Sequence, residues 1–195
     1  YNRNTTPELG ARRDIATALN AWSCGTNTAA SVPCMFSHLG KEAYESRKVS
    51  YENLLDVLQR AGLGVLWVDN QAGCKGVCER VSNVNTNSAE AAVQQGCTAG
   101  ECQDTVMLAS LDARIAALPQ AQRDKGVVVV MHQMGSHGPA YAKRSAEAQK
   151  HFMPECTSNA LQECSQQQLV NAYDNSIVAT DHFLNTTIDW LAARE

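Results

Sequence analysis

The sequence predicts an α/β fold with a mostly parallel sheet flanked by helices, and three segments carry that prediction. Ser50–Ala61 (SYENLLDVLQRA) places Tyr51, Leu54, Leu55 and Leu58 on one face at helical spacing. Gly64–Val68 (GVLWV) follows a glycine stop and reads as a short buried strand. Gly126–His132 (GVVVVMH) is apolar throughout, as strands covered on both faces of a parallel sheet are. A helix leading into such a strand is the building unit of layered α/β folds.

The remaining segments fall into place around these. Ser50 can cap the first helix, and Gly62 and Gly64 end it. Residues 71–103 are rich in Gly, Asn, Ser, Gln and Cys and read as one long stapled surface loop. Asp104–Leu118 (DTVMLASLDARIAAL) predicts a second amphipathic helix, ended by Pro119. Residues 138–165 form another polar excursion clipped by cysteines. Gln166–Arg194 predicts a long last helix with an apolar stripe of Leu169, Tyr173, Ile177, Phe183, Leu184, Ile188 and Leu191.

Composition limits the class of protein. The 195 residues suit a single domain over 1–195 that buries its own core. With 44% hydrophobic and 18% charged residues the chain is globular in composition. Its net charge of -4 includes no basic block, which argues against nucleic acid as a partner. The longest aliphatic run, Val127–Met131, is far short of the roughly 18 residues a membrane span needs. The chain opens at Tyr1-Asn2-Arg3-Asn4 without a leader, which reads as a fragment.

Eight cysteines fall in local pairs: Cys24/Cys34, Cys74/Cys78, Cys97/Cys102 and Cys156/Cys164. An even count in close pairs predicts disulfides and an oxidising compartment. Closing a loop of about ten residues contributes roughly 2–3 kcal/mol on the chain-entropy account. Cys74-x3-Cys78 and Cys97-x4-Cys102 could also imitate zinc knuckles, but the other two pairs have spacings no knuckle uses.

Three stretches carry groups capable of chemistry. In and beside the Cys24–Cys34 loop, Ser23, Thr26, Thr28 and Ser31 bring hydroxyls close together, and Asn27 adds an amide. Thr28 precedes Ala29-Ala30, a plausible helix start, where free backbone N–H groups favour a phosphate. A metal-activated Thr there could attack a phosphoryl centre; equally, it could be only an N-cap in a stapled turn. His132 and His137 flank a glycine-containing loop after the strongest strand, where α/β folds place ligands. They could bind metal or polarise a phosphate, or be one buried and one surface histidine. Asp69–Gly76 (DNQAGCKG) follows the other strand, and Lys75 could serve as a point charge for phosphate or be simply solvated.

Taken together, WSCGTNTAASVPCMFS, DNQAGCKGVC, MHQMGSHGPAY and NAYDNSIVATD strongly resemble the periplasmic domain of lipid A phosphoethanolamine transferases, the family that includes the colistin-resistance enzymes. The match runs in order along essentially the whole chain. The family is similar in fold to alkaline phosphatases and sulfatases, so the resemblance implies that layered fold, in partial form, with disulfide-stapled loops. It implies that Thr28 is the nucleophile and a zinc ligand, and that it takes phosphoethanolamine from phosphatidylethanolamine and passes it to a lipid A phosphate. It implies that His137 lies near the substrate phosphate or a second zinc, and that Asn70, Gln71 and Lys75 bind substrate. Asn-Asn is common in the family where Asn70-Gln71 stands here, so Gln71 departs from the pattern while keeping an amide. A Glu that some members carry shortly after CMFS is replaced by Ala43, with Glu42 beside it. Cys24–Cys34 and Cys156–Cys164 match family disulfides.

The same resemblance places other zinc ligands of the family before Tyr1 and after Glu195. It implies a monomer in the periplasm, held at the inner membrane through a region outside this chain, with polymyxin resistance as the outcome. Two rivals remain: another enzyme of the same superfamily with a different acceptor, and a disulfide-rich extracytoplasmic binding module with no chemistry.

Overall fold

A computed structural model describes residues 2–86, 97–98 and 101–194. In chain order the helices are α1 (Pro7–Ala11), α2 (Thr28–Met35), α3 (Lys41–Ser46), α4 (Leu54–Arg60), α5 (Leu111–Ala116), α6 (Gln120–Arg123) and α7 (Gln166–Ala192). The strands are β1 (Gly64–Asp69), β2 (Ser82–Asn85), β3 (Cys97–Thr98), β4 (Glu101–Cys102) and β5 (Val127–His132). Short 3-10 turns occupy Asp104–Met107, Tyr141–Arg144, Glu147–Gln149 and Leu161–Glu163. The chain divides into two compact units: Tyr1–Thr17 with Asn87–Ala109 and Gln133–Glu195, and Ala18–Thr86 with Ser110–His132. No helix among the described residues is long and apolar enough to cross a membrane.

The unit built on Ala18–Thr86 and Ser110–His132 holds the parallel sheet, in the order β2-β1-β5. β1 is central and buried at all six positions. Trp67 is 1% exposed and joins Leu55, Val65, Val77 and Val81 in the core, with Phe36 tilted against it at 5.7 Å between ring centroids. β5 differs from expectation: although apolar throughout, its six residues are only half-buried, because it lies at the edge of this sheet. Residues 71–103 are not one loop either. They include β2, an edge strand missed because SNVN alternates polar residues and is mostly exposed. Residues 87–96 and 99–100 of that stretch lie outside the described residues.

Helix α4 starts later than the spacing predicts. Asn53, not Ser50, caps it: the Asn53 side chain accepts from the amides of Leu55 and Asp56, while Asp56 accepts from the Asn53 amide. Arg80 grips the Asp56 carboxylate through two nitrogens, at 2.8 and 2.5 Å, and is the main cause holding that carboxyl below its usual range. The helix expected over 104–118 breaks in two. Ser110 adopts a left-handed conformation, φ 59°, and the Asp104 carboxylate accepts from the Met134 and Gly135 amides, a contact reaching far along the chain.

All four local cysteine pairs are closed as disulfides, with Cα–Cα distances from 3.9 to 6.3 Å. Cys97 and Cys102 face each other across the antiparallel β3–β4 pair.

In the other unit α7 packs against α1 and against the turns at 104–107, 141–144 and 147–149. Its buried face is not the predicted apolar stripe. Of the stripe, Phe183 is buried, while Tyr173 and Leu191 are exposed. The buried side chains include Asn171, Asp174, Asn175 and Asp181. Each has a partner, which is what allows its burial. Arg3 reaches Asp174 at 2.6 Å and Asn171 at 2.9 Å. Asn175 bonds both backbone groups of Phe152 and the Glu155 carboxylate, itself paired with Lys150. Asp181 accepts from the Glu8 and Leu9 amides at 2.8 and 3.0 Å, so it serves the open N-terminus of α1, where Thr6 makes no side-chain cap. The stretch NAYDNSIVATD thus ties α7 to the first residues of the chain.

At the C-terminal end of β1, Asp69 sits beside His132 in the register of β5. Asp69 is 4% exposed, and its Oδ2 accepts from the Trp67 indole at 2.9 Å and lies 3.0 Å from His132 Nδ1. Burial pushes this carboxyl up, but the bonds from His132, Trp67 and the Gln71 amide outweigh it and leave the pKa at about 2.

Two outcomes follow. Asp181→Ala takes the acceptor from the Glu8 and Leu9 amides and is expected to cost about 3 kcal/mol, more than Leu169→Ala on the half-buried stripe; urea unfolding of both variants checks the order. Because the folded pKa of Asp69 is depressed, its stabilisation is complete above the unfolded pKa and is lost as pH falls from about 4 to 2, by about 2 kcal/mol. Asp69→Asn should remove that part of the acid sensitivity. Equal losses in wild type and variant between pH 5 and pH 2.5 would contradict it.

Candidate functional site

The loop between Cys24 and Cys34 sorts its hydroxyls by what they bond. Ser23 and Ser31 both donate to the Gly25 carbonyl oxygen, each at 2.6 Å. Asn27 is the N-cap of α2: its side chain accepts from the Ala30 amide at 2.9 Å. Thr28 is therefore not the cap but the first helical residue. It is half-buried, and its hydroxyl makes no hydrogen bond among the described residues. Thr26 is exposed and lies outside the helix. Gly25 has a steric reason to be glycine, since a Cβ there would stand 2.9 Å from the Ala30 Cβ.

A second loop, after β1, is organised by Asp69. Its Oδ1 accepts from the amides of Gln71 and Gly73, at 2.8 and 3.2 Å. Gly73 and Gly76 take positive φ, 83° and 87°, and so does Lys75 between them, at 54°. A non-glycine residue in that region signals a conformation imposed by its surroundings. Here the constraint is the Cys74–Cys78 disulfide, with the Cys78 amide 3.0 Å from the Cys74 sulfur. Asn53 fastens the loop to α4 by donating to the Val77 carbonyl at 2.8 Å. Lys75 is exposed, and its ammonium donates to the Ala72 carbonyl at 2.6 Å.

The other two residues of this stretch are placed differently. Asn70 is 1% exposed. Its amide donates to the His132 carbonyl at 2.9 Å, and its Oδ1 lies 3.0 Å from the Thr86 hydroxyl. Gln71 is half-buried. A cleft of about 420 Å³ has Ala29 and Pro33 of α2 on its lining together with Lys75, Gly76, Arg47 and Tyr44. Ala29 is the residue after Thr28, so the lysine loop and the first turn of α2 meet in this cleft. Arg47 lies over the Tyr44 ring, 3.5 Å from its centroid, and has no carboxylate partner among the described residues.

Thr28, Asn70, Gln71 and Lys75 thus share one unit. His137 belongs to the other. It is exposed, with Nδ1 2.7 Å from the Gly138 carbonyl oxygen, while Arg144 donates to the His137 carbonyl. His132 is the half-buried member of the histidine pair, its side chain 11% exposed. No three His, Cys, Asp or Glu side chains among the described residues group together as a metal site. Sequence reasoning missed the role of Asp69. Its signal was an acid closing an apolar strand, two residues beyond a tryptophan.

The chain is 42% identical to a phosphatidylethanolamine transferase, Mcr-2, of Escherichia coli, over 100% of this chain and 36% of that protein. It thus spans about a third of that relative's length. An integral membrane lipooligosaccharide phosphoethanolamine transferase A from Neisseria meningitidis superposes with a TM-score of 0.89 at 40% identity, covering 100% of this chain and 35% of that one. The periplasmic domain of EptC from Escherichia coli, solved in complex with zinc, shares the fold with a TM-score of 0.68 at 19% identity, covering 100% and 54%. The sulfatase family pattern matches from residue 1 to residue 195, the Cys24–Cys34 loop and the lysine loop included, and the chain belongs to the sulfatase family.

Proposed function

We propose that residues 1–195 form part of the catalytic domain of a phosphoethanolamine transferase that acts through Thr28. The observation that carries this reading is the sorting of hydroxyls around α2. Ser23 and Ser31 are engaged, Asn27 caps the helix, and Thr28 keeps an unengaged oxygen on its first turn. Two of the relatives named above are a phosphatidylethanolamine transferase and a phosphoethanolamine transferase by name, and the matches to them cover the whole chain, both loops included.

In the proposed reaction the Thr28 oxygen attacks the phosphorus of phosphatidylethanolamine. The bond to the glycerol oxygen breaks, and diacylglycerol leaves with the proton from the Thr28 hydroxyl. An oxygen of a lipid A phosphate then attacks the phosphoryl-Thr28. The bond to Thr28 breaks, and the acceptor's proton restores the hydroxyl. Lys75 neutralises phosphate charge, its ammonium holding one bond to Ala72 and keeping two protons for the substrate. His137 and Gln71 contact substrate, and Asn70 supports the loop from beneath. The parent protein is read as a monomer of the periplasm, anchored in the inner membrane, with no nucleic acid partner and with polymyxin resistance as its effect.

Zinc belongs to this reading as the cofactor of the whole protein, with Thr28 and His137 among its ligands. The donors in this chain do not complete a shell, since a catalytic zinc takes about three protein ligands and no such group occurs among the described residues. No step above is therefore routed through the ion.

Residues 1–195 alone are expected to bind zinc weakly; isothermal titration giving a sub-micromolar Kd would overturn this. In the full-length protein, incubation with phosphatidylethanolamine should leave a phosphoethanolamine mass on Thr28. Thr28→Ala should abolish the adduct and restore polymyxin susceptibility to the host cell. An adduct on Thr26, or unchanged susceptibility, would point to another enzyme design or to a binding module.

A further inference from the structure

We propose that Asp69 is a positioning residue for phosphate binding, acting on Lys75 through the backbone of the loop between them; this rests on the transferase reading. Asp69 is too buried to touch a ligand in the cleft. Its reach is indirect and can be followed bond by bond. Oδ2 is pinned by the Trp67 indole and the His132 ring, so the carboxylate cannot swing. Oδ1 then holds the amides of Gln71 and Gly73. Between those two amides lies Ala72, whose carbonyl oxygen receives the Lys75 ammonium at 2.6 Å. The carboxylate fixes two amides, the amides fix the carbonyl between them, and the carbonyl fixes the ammonium.

The arrangement suits phosphate recognition. Lys75 has a long, flexible stem, and an unheld lysine loses entropy on every binding event. Here its backbone is already in a left-handed conformation beside the Cys74–Cys78 link, and its ammonium is already docked. The Asp69 charge is met by four donors of its own, and it makes no ion pair with Lys75. The lysine therefore presents its positive charge to the cleft, close to Ala29 and the start of α2. A displacement of about 1 Å in such a group can lower a phosphoryl-transfer rate on the order of 100-fold.

The test is a double-variant cycle in the full-length protein, reading the rate of phosphoethanolamine adduct formation on Thr28 by intact mass. Asp69→Asn keeps the shape but loses the charge that holds both amides, and should slow adduct formation about 10- to 100-fold with a higher KM for phosphatidylethanolamine. Lys75→Ala should do the same. Combined, they should be within about twofold of Lys75→Ala alone, because the second residue acts through the first. Leu118→Ala, which truncates a buried side chain beside Gly64 at the opposite end of β1 from Asp69, is the control for general destabilisation and should stay within about threefold of wild type. Asp69→Glu, which keeps the charge but shifts it by one methylene, should lose at least about tenfold and serves if the asparagine variant does not fold. Effects of Asp69 and Lys75 that multiply, or Asp69 variants at wild-type rate, overturn the positioning role alone. A wild-type protein that forms no adduct on Thr28 overturns the transferase reading, and this role falls with it.

Discussion

One buried carboxylate at the end of the central strand organises the site half of this protein. Asp69 joins three things that the chain brings from far apart: the strand register with β5 through His132, the core through Trp67, and the loop after β1 through two amides. Its backbone oxygen also receives the Thr86 amide at 2.8 Å, which continues the pairing towards β2. A carboxylate can accept about four bonds, and all of its capacity is used here. Burying such a group unpaired costs several kcal/mol; saturated, it fixes a geometry that apolar contacts alone would leave loose.

Helix α2, which carries Thr28, follows the opposite logic. Its hydroxyl-rich loop satisfies itself internally. The Gly25 carbonyl collects Ser23 and Ser31, and Asn27 takes the capping position. What remains is a threonine placed by the helix but not occupied by it. The core behind it is packed by Val32 and Phe36, one and two turns further on, against Trp67. Position and availability of the hydroxyl therefore come from different neighbours.

Much of this was legible in the chain. The α4–β1 unit, the strand at 127–132 and the long last helix announce themselves by apolar periodicity, and the four cysteine pairs by spacing. The motif resemblance singled out Thr28 and Lys75, and both line or adjoin one cleft. What was hidden depends on side-chain partners that periodicity does not encode. Asn53 took the cap from Ser50 because Asp56 could reciprocate three residues on. Asp104 left its helix to hold the Met134 and Gly135 amides. β2 is polar because an edge strand needs only its backbone to pair. Asn70 looked like a ligand contact, and lies beneath the loop against Thr86.

The polar inner face of α7 has a consequence for how this sequence can vary. A helix seated by apolar contacts tolerates slight rotation or sliding, because neighbouring hydrocarbon groups are interchangeable. α7 instead reads a fixed code: Asn171 and Asp174 to Arg3, Asn175 to Phe152 and Glu155, Asp181 to the amides of α1. Turning it by one residue, about 100°, would bury carboxylates with nothing to meet them. The outer face is free to drift one substitution at a time. The inner face can change only by exchanging both members of a pair together, a route that single mutations rarely open.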